Sequence, residues 1–387
     1  MKFAVRGLGL AASLALVSTA PVVTPAKAQS MPPAAYVYVQ ISSLQGSVYG
    51  FSSSSTGKLT PIQGAPWKPA GSIIGSNKSQ FFTLGQDLIH SYGIASDGAI
   101  ESQLAQMPIL DYAGSSCNDG LQGDNGAVLD HTGKYIYVKL EDNDGVCAAY
   151  QSYKINSDGA FAFDGDTELN WNGNGESAGL PSILGNESFA YSDYDYLNSG
   201  PVVTGFRSET SGTLELMQFQ ENYPALSDDY YVTGGPDASP AGNYLVLQLW
   251  PADGGPTQLA SYTVDSEGSI STTNTSSNMP TSALTNPQST FSPSGNLFVL
   301  YAGANNTPSA GDGIEIYNFN GAAPLTLNTK LMPETPINQV AWDSSNHMYA
   351  ISWFENRLYV FTVTPTSITG DTVWDIGGPV KMVLVSK

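Results

Sequence analysis

The chain has 387 residues, with 40 Gly, 24 Pro and 21 Tyr, 12% charged residues and a formal net charge of −20. Its 41% hydrophobic and 11% aromatic content is enough for a packed core and excludes global disorder. Fourteen Lys plus Arg against 34 Asp plus Glu exclude the dense basic face that a nucleic-acid binder needs.

Residues 1–28 read as a secretory signal peptide. Lys2 and Arg6 form a positive start, Gly7 to Val17 an apolar stretch too short to span a bilayer, and Ala26-Lys27-Ala28 a small-x-small cleavage pattern. A retained membrane anchor is the alternative. Cleavage near Gln29 removes three cations and no acid, which leaves a charge of −23 on residues 29–387. The expected location is periplasmic or secreted, with no later membrane span.

From Tyr36 onward one pattern recurs. An aromatic residue ends a strand-like run, and six residues later a Gly opens a turn before an apolar residue. Phe51 leads to Gly57, Tyr92 to Gly98, Tyr153 to Gly159, Phe206 to Gly212 and Tyr262 to Gly268, with looser copies at Tyr317 and Phe361. A second run precedes each aromatic, as in Tyr36–Val39, Tyr135–Val138, Tyr244–Leu249 and Met348–Ser352. Tight turns such as His131-Thr132-Gly133-Lys134 and Pro293-Ser294-Gly295-Asn296 introduce several of them. Ahead of these turns lie further short strands, among them Ala127–Asp130 and Gln339–Trp342. Each unit of roughly 40 to 60 residues therefore reads as four antiparallel strands, a to d, joined by hairpins.

Seven such units without helical periodicity predict an all-β fold, a seven-bladed β-propeller of four-stranded antiparallel blades over residues 29–387. A two-domain β-sandwich is the alternative, and it would not account for seven copies of one spacing. The first unit lacks its strand a, and the apolar run Val380–Val385 has no unit of its own. The C-terminal strand is expected to close the first blade.

In such a blade the b–c hairpins and d–a crossovers emerge on one face. Cys117 and Cys147 then fall on one face beside blade three, and an exported chain predicts a disulfide between them; two separate thiols are the alternative. The same face gathers carboxylates that include Asp111, Asp142, Asp144, Asp193, Asp195, Asp228, Asp229 and Asp237. Asp142-Asn143-Asp144-Gly145 and Asp193-Tyr194-Asp195 are oxygen-rich loops that would suit Ca²⁺, although neither follows the EF-hand pattern. Solvated acidic loops are the competing reading. His131 and His347 fall in a–b turns of the opposite face, and His90 on a c strand. No zinc, redox, α/β-hydrolase or phosphate-cradle motif occurs, so no cofactor other than Ca²⁺ is expected.

Tyr36-Val37-Tyr38-Val39, Gly46-Ser47-Val48-Tyr49-Gly50-Phe51 and Thr56-Gly57-Lys58-Leu59 together resemble the opening blade of the lactonase-type seven-bladed propellers. These are the relatives of 6-phosphogluconolactonase and the muconate-lactonizing propeller. Phe291-Ser292-Pro293-Ser294-Gly295-Asn296-Leu297 looks like that family's repeated inner-strand motif, and Pro240-Ala241-Gly242-Asn243-Tyr244 echoes it. The resemblance implies metal-free hydrolysis of a sugar lactone in the central funnel by a His/Arg/Glu-type set. The family's Pro-Arg-His run is absent, and the corresponding stretches read Pro181-Ser182-Ile183 and Pro287-Gln288-Ser289. An acidic funnel face also lacks the cations that a phosphorylated lactone needs. Arg357, beside Glu355 in the b–c hairpin of blade seven, is the one arginine placed near that face. Glu355 as base and Arg357 as oxyanion partner are the candidate catalytic pair. The expectation is an exported, monomeric, lactonase-like propeller acting on a sugar-type lactone. The alternative is a non-catalytic propeller that presents an acidic face to a protein, glycan or cation.

Overall fold

Among the described residues of a computed structural model, twenty-eight strands form seven separate four-stranded antiparallel sheets. The structure describes residues 32–41, 46–110, 126–141, 148–169, 179–196, 200–208, 212–217, 230–303, 308–364 and 367–386, with backbone alone at 194–196, 200–202 and 371. Blade two shows the plan. β4 (Ser72–Ser76) is innermost and is followed outward by β5 (Gln80–Leu84), β6 (Leu88–Ile94) and β7 (Ile100–Pro108). Blades three to seven repeat this a-b-c-d order in chain sequence.

The two middle strands of a blade are buried on both faces, because each sheet is stacked between two neighbours. β1 (Ala35–Ile41) therefore reads as a continuous apolar run, AYVYVQI, in which every residue is buried. The outermost β7 meets water and is mostly exposed, polar side chains included. The core is correspondingly divided into layers between blades. Val37, Val39 and Phe51 of the first blade pack on Tyr349, Ile351 and Leu358 of the seventh, and Tyr36 and Tyr38 pack on Phe81 and Tyr92 of the second. Each such side chain taken from water contributes about 1.5–3 kcal/mol.

The ring closes as the sequence predicts. β28 (Pro379–Ser386) pairs antiparallel with β1, with Val37 opposite Leu384 and Tyr38 opposite Val383, and so completes the first blade. This junction leaves neither strand as an open inner edge.

The aromatic–Gly repeat has a second role beyond turning the chain. Gly98 has φ +89, and a Cβ there would lie 2.6 Å from Tyr36 Cδ1 in the preceding blade. Its carbonyl accepts the Tyr38 hydroxyl at 2.8 Å. Tyr137 makes the same bond to the Gly212 carbonyl at 3.0 Å, and Tyr191 to that of Gly268 at 2.7 Å. The c–d turn of each of these blades is thus the socket for a tyrosine of the blade before it. Blade seven departs from this device: the Tyr349 hydroxyl lies 2.7 Å from Ser53 Oγ and 2.8 Å from Asp343 Oδ2, which also faces His347 Nδ1 at 2.8 Å. His347, expected in a turn, begins the buried strand β25 (His347–Ser352).

Among the described residues no helix is long and apolar enough to cross a membrane.

Candidate functional site

The innermost strands surround a channel. They include β8 (Ala127–Leu129), β12 (Ser182–Ile183), β16 (Tyr230–Ala238), β20 (Gln288–Phe291) and β24 (Gln339–Trp342), together with β4 and β28. A cavity of about 590 Å³ lies within the walls of blades three to six, and one of about 560 Å³ reaches blades seven and one. His131, Ser182, Asp237 and Ser289 line both and form the waist between them.

Asp237 is the polar centre of this waist. The sequence reading put it in a loop of the acidic face; instead it lies on β16, the innermost strand of blade five. The run Thr233-Gly234-Gly235-Pro236-Asp237 explains the placement. Two glycines and a proline cannot hold a regular ladder, and the register shifts twice, between Val232 and Gly234 and between Gly234 and Asp237. A bulge of this kind re-aims the side chain that follows it.

The carboxyl of Asp237 accepts the Ser289 hydroxyl through Oδ2. Ser289 Oγ in turn accepts Gln248 Nε2 at 2.7 Å, so a relay of donors from blades five and six ends on one oxygen. Burial pushes the Asp237 carboxyl up to about 7, against the opposing pull of its hydrogen bonds to Ser289 and Gln248. The Tyr301 hydroxyl on the same wall is raised by its own burial and then by the charge of Asp237. His131 Nε2 lies 2.7 Å from the Ile183 carbonyl oxygen. A carbonyl can only accept, so this nitrogen donates to it. Ser182 Oγ accepts the Ala238 amide at 2.8 Å, which ties blade four to β16 beside Asp237.

A third cavity of about 350 Å³ lies against blades one to three and is lined by Gly71, Leu84, Gly126 and Lys381. Lys381, on β28, is the one lysine or arginine on the described walls of these three cavities. Its burial lowers the ammonium pKa.

The pair expected from sequence sits elsewhere. Glu355 accepts the Tyr359 hydroxyl and Arg357 donates to the same hydroxyl oxygen, while Arg357 Nε also reaches Asp375 Oδ1 at 3.4 Å on the outermost strand of blade seven, β27 (Ser367–Asp375). Neither lines any of the three cavities. The Asp193-Tyr194-Asp195 segment is strand rather than loop: both aspartates belong to β13 (Phe189–Tyr196), with Asp193 opposite Val203 and Asp195 opposite Pro201. Among the described residues no group of three or more His, Cys, Asp or Glu is placed to hold a metal. Cys117, Cys147, Asp142 and Asp144 lie outside the described residues.

A ring of seven blades, closed by the C-terminal strand around a channel, defines a seven-bladed β-propeller. The chain is similar in fold to the periplasmic gluconolactonase of Pseudomonas aeruginosa, with a TM-score of 0.63 at 13% identity over 91% of this chain and 99% of that one. It is equally similar to a protein provisionally named a 6-phosphogluconolactonase from Bacteroides uniformis, with a TM-score of 0.63 at 12% identity over 91% and 99%. A counterpart from Bacteroides fragilis gives 0.63 at 13% identity over 92% and 99%. Likeness at this identity establishes the fold. No family model and no curated protein sequence matches the chain.

Proposed function

We propose that this protein is an exported lactonase that opens a small, neutral sugar-type lactone at the channel waist, with Asp237 as the general base. The observation that carries the reading is the Asp237 carboxyl itself, held by Ser289 and Gln248 inside a cavity and shifted to about 7. A base near neutrality combines a large ionised fraction with useful proton affinity.

Ionised Asp237 takes a proton from a water in the channel as that water attacks the lactone carbonyl. The tetrahedral oxyanion forms among the polar side chains of the waist. Its collapse breaks the ring C–O bond, and the proton held by Asp237 passes to the leaving alkoxide, giving a hydroxy acid. The preference for a neutral substrate rests on charge. The chain carries −20, and Lys381 alone among the lysines and arginines lines the described channel cavities, so a phosphoryl group would find little to pair with. Export is supported by the leader pattern of residues 1–28 and by the periplasmic origin of the Pseudomonas protein that shares the fold.

Purified protein incubated with a panel of γ- and δ-lactones, with acid release followed by a pH indicator, tests the reading. Turnover above buffer that falls at least about 100-fold in Asp237→Asn supports it. Absence of turnover on every lactone overturns it.

A further inference from the structure

On the opposite face, where the a–b and c–d turns lie, a second cavity of about 530 Å³ opens between blades three, four and five. It shares no residue with the channel cavities. Asp130, Lys134, Tyr135, Glu187, Phe189 and Arg207 are among its walls.

Glu187 is the anomaly. The a–b turns of blades three to six share one geometry, in which the fourth residue takes a left-handed backbone. Gly133 (φ 68), Gly242 (φ 93) and Gly295 (φ 68) stand there in blades three, five and six, and Glu187 (φ 59) stands there in blade four. The amide of this residue returns to the first turn carbonyl at 3.1 Å in blade three, 2.9 Å in blade four and 2.8 Å in blade six, so the positions are equivalent. L-residues avoid this conformation, and glycine adopts it freely. Blade four also lacks the polar cap at the first turn position. Asp130 caps the amides of Lys134 and Tyr135 in blade three, and Ser292 that of Leu297 in blade six, where blade four has Leu184. The turn has therefore given up two local supports while placing a carboxylate over the neighbouring blade.

One oxygen of that carboxylate, Oε1, is buried with no hydrogen-bond donor among the described residues. Its burial, reinforced by the nearby charge of Asp130 and opposed by the His131 amide and Lys134, pushes the group up to about 7. Asp130 is already committed to two amides and the Thr132 hydroxyl. At the rim Lys134 and Arg207 are exposed; Arg207 lies 3.9 Å from Glu267, itself largely in solvent, and opposite Glu215 in the neighbouring strand. A half-buried acid with one oxygen lacking a donor, aromatic walls and cations at the rim are complementary to one kind of molecule. We infer that this cavity binds a small zwitterion of the amino-acid class, with its ammonium against Glu187, its carboxylate toward Arg207 and Lys134, and its apolar side chain against Tyr135 and Phe189.

Calorimetric titration of the full chain tests this with L-phenylalanine, its two halves phenethylamine and 3-phenylpropionate, and gluconate. Binding of L-phenylalanine at least tenfold tighter than either half is expected. Glu187→Gly introduces the residue that blades three, five and six use, so it should melt at or above wild type while losing tenfold or more in affinity. Arg207→Ala, at an exposed position, should erase the preference for L-phenylalanine over phenethylamine. No measurable binding of L-phenylalanine, unchanged affinity in Glu187→Gly, or gluconate binding as tightly would each overturn the inference. Lactone turnover reads a different cavity, so failure of either proposal is distinguishable from failure of the other.

Discussion

Replacing Asp237 by Asn removes an ionisation while keeping a side chain of the same shape, whose carbonyl can still accept the Ser289 hydroxyl. The folded carboxyl titrates at about 7, against an ordinary value of 3.8. Below pH 3.8 both folded and unfolded chains hold the proton, and nothing is lost. Between 3.8 and 7 the unfolded chain ionises while the native carboxyl keeps its proton. Stability then falls by about 1.4 kcal/mol per pH unit and levels off above 7. The full penalty comes to about 4 kcal/mol, and residual water contact in the channel brings the expected range to about 2–4 kcal/mol. Asp237→Asn should therefore match wild type near pH 4 and exceed it by that margin near pH 8. Urea titrations followed by tryptophan fluorescence at half-unit pH steps measure the difference, with equal m-values as the check on cooperativity. Glu187 titrates in both proteins and cancels. A difference that stays constant from pH 4 to 9 would refute the placement of a near-neutral carboxyl in the channel.

The same ionisation sets the pH dependence of the proposed reaction. Acid release should rise through about pH 7 in the wild type, and this step should vanish from the residual activity of Asp237→Asn. Gly98→Ala should destabilise by about 2–4 kcal/mol, read as a drop in urea midpoint, because it combines a left-handed backbone with a clash against Tyr36. Asp343→Ala should cost about 3–5 kcal/mol, since it strands the His347 ring and the amides of Ser345 and His347 and leaves the buried Tyr349 hydroxyl with Ser53 alone. Removal of residues 379–387 should abolish the cooperative transition, seen by calorimetry, because β1 then loses its partner and the first blade its inner strand.

The blades were legible in the sequence because their determinants are local. In five blades the c–d turn has its left-handed glycine six residues past the aromatic, and a strand buried on both faces announces itself as an apolar run, as Ala35–Ile41 does. Even the closing strand could be assigned by counting, since Val380–Val385 was one strand more than the blades preceding it required. Local pattern also misled. Glu355 and Arg357 are two residues apart and do meet, on Tyr359, but away from the three channel cavities. Asp193 and Asp195 looked like loop ligands because Asp-Tyr-Asp resembles polar punctuation, yet the strand simply continues through them. The Asp237 site depends on Ser289, 52 residues away and in the next blade, and no spacing rule connects the two.

A usable signal did exist, and it was the breaking of the repeat rather than the repeat. Inner strands such as Ser182–Ile183 and Gln339–Trp342 are short, whereas Tyr230–Ala238 runs to nine residues with Gly-Gly-Pro inside it. A propeller gains nothing in stability from that irregularity. Its product is a bulge that turns a carboxyl into the channel, where burial costs the fold about 2–4 kcal/mol near neutrality. Glu187 repeats the logic on the other face, with a glutamate in a position where three other blades have glycine. In a fold built from seven copies of one unit, the sibling blades serve as the reference for what stability alone demands. A departure that costs stability and leaves a polar group facing a cavity is therefore where function is to be sought.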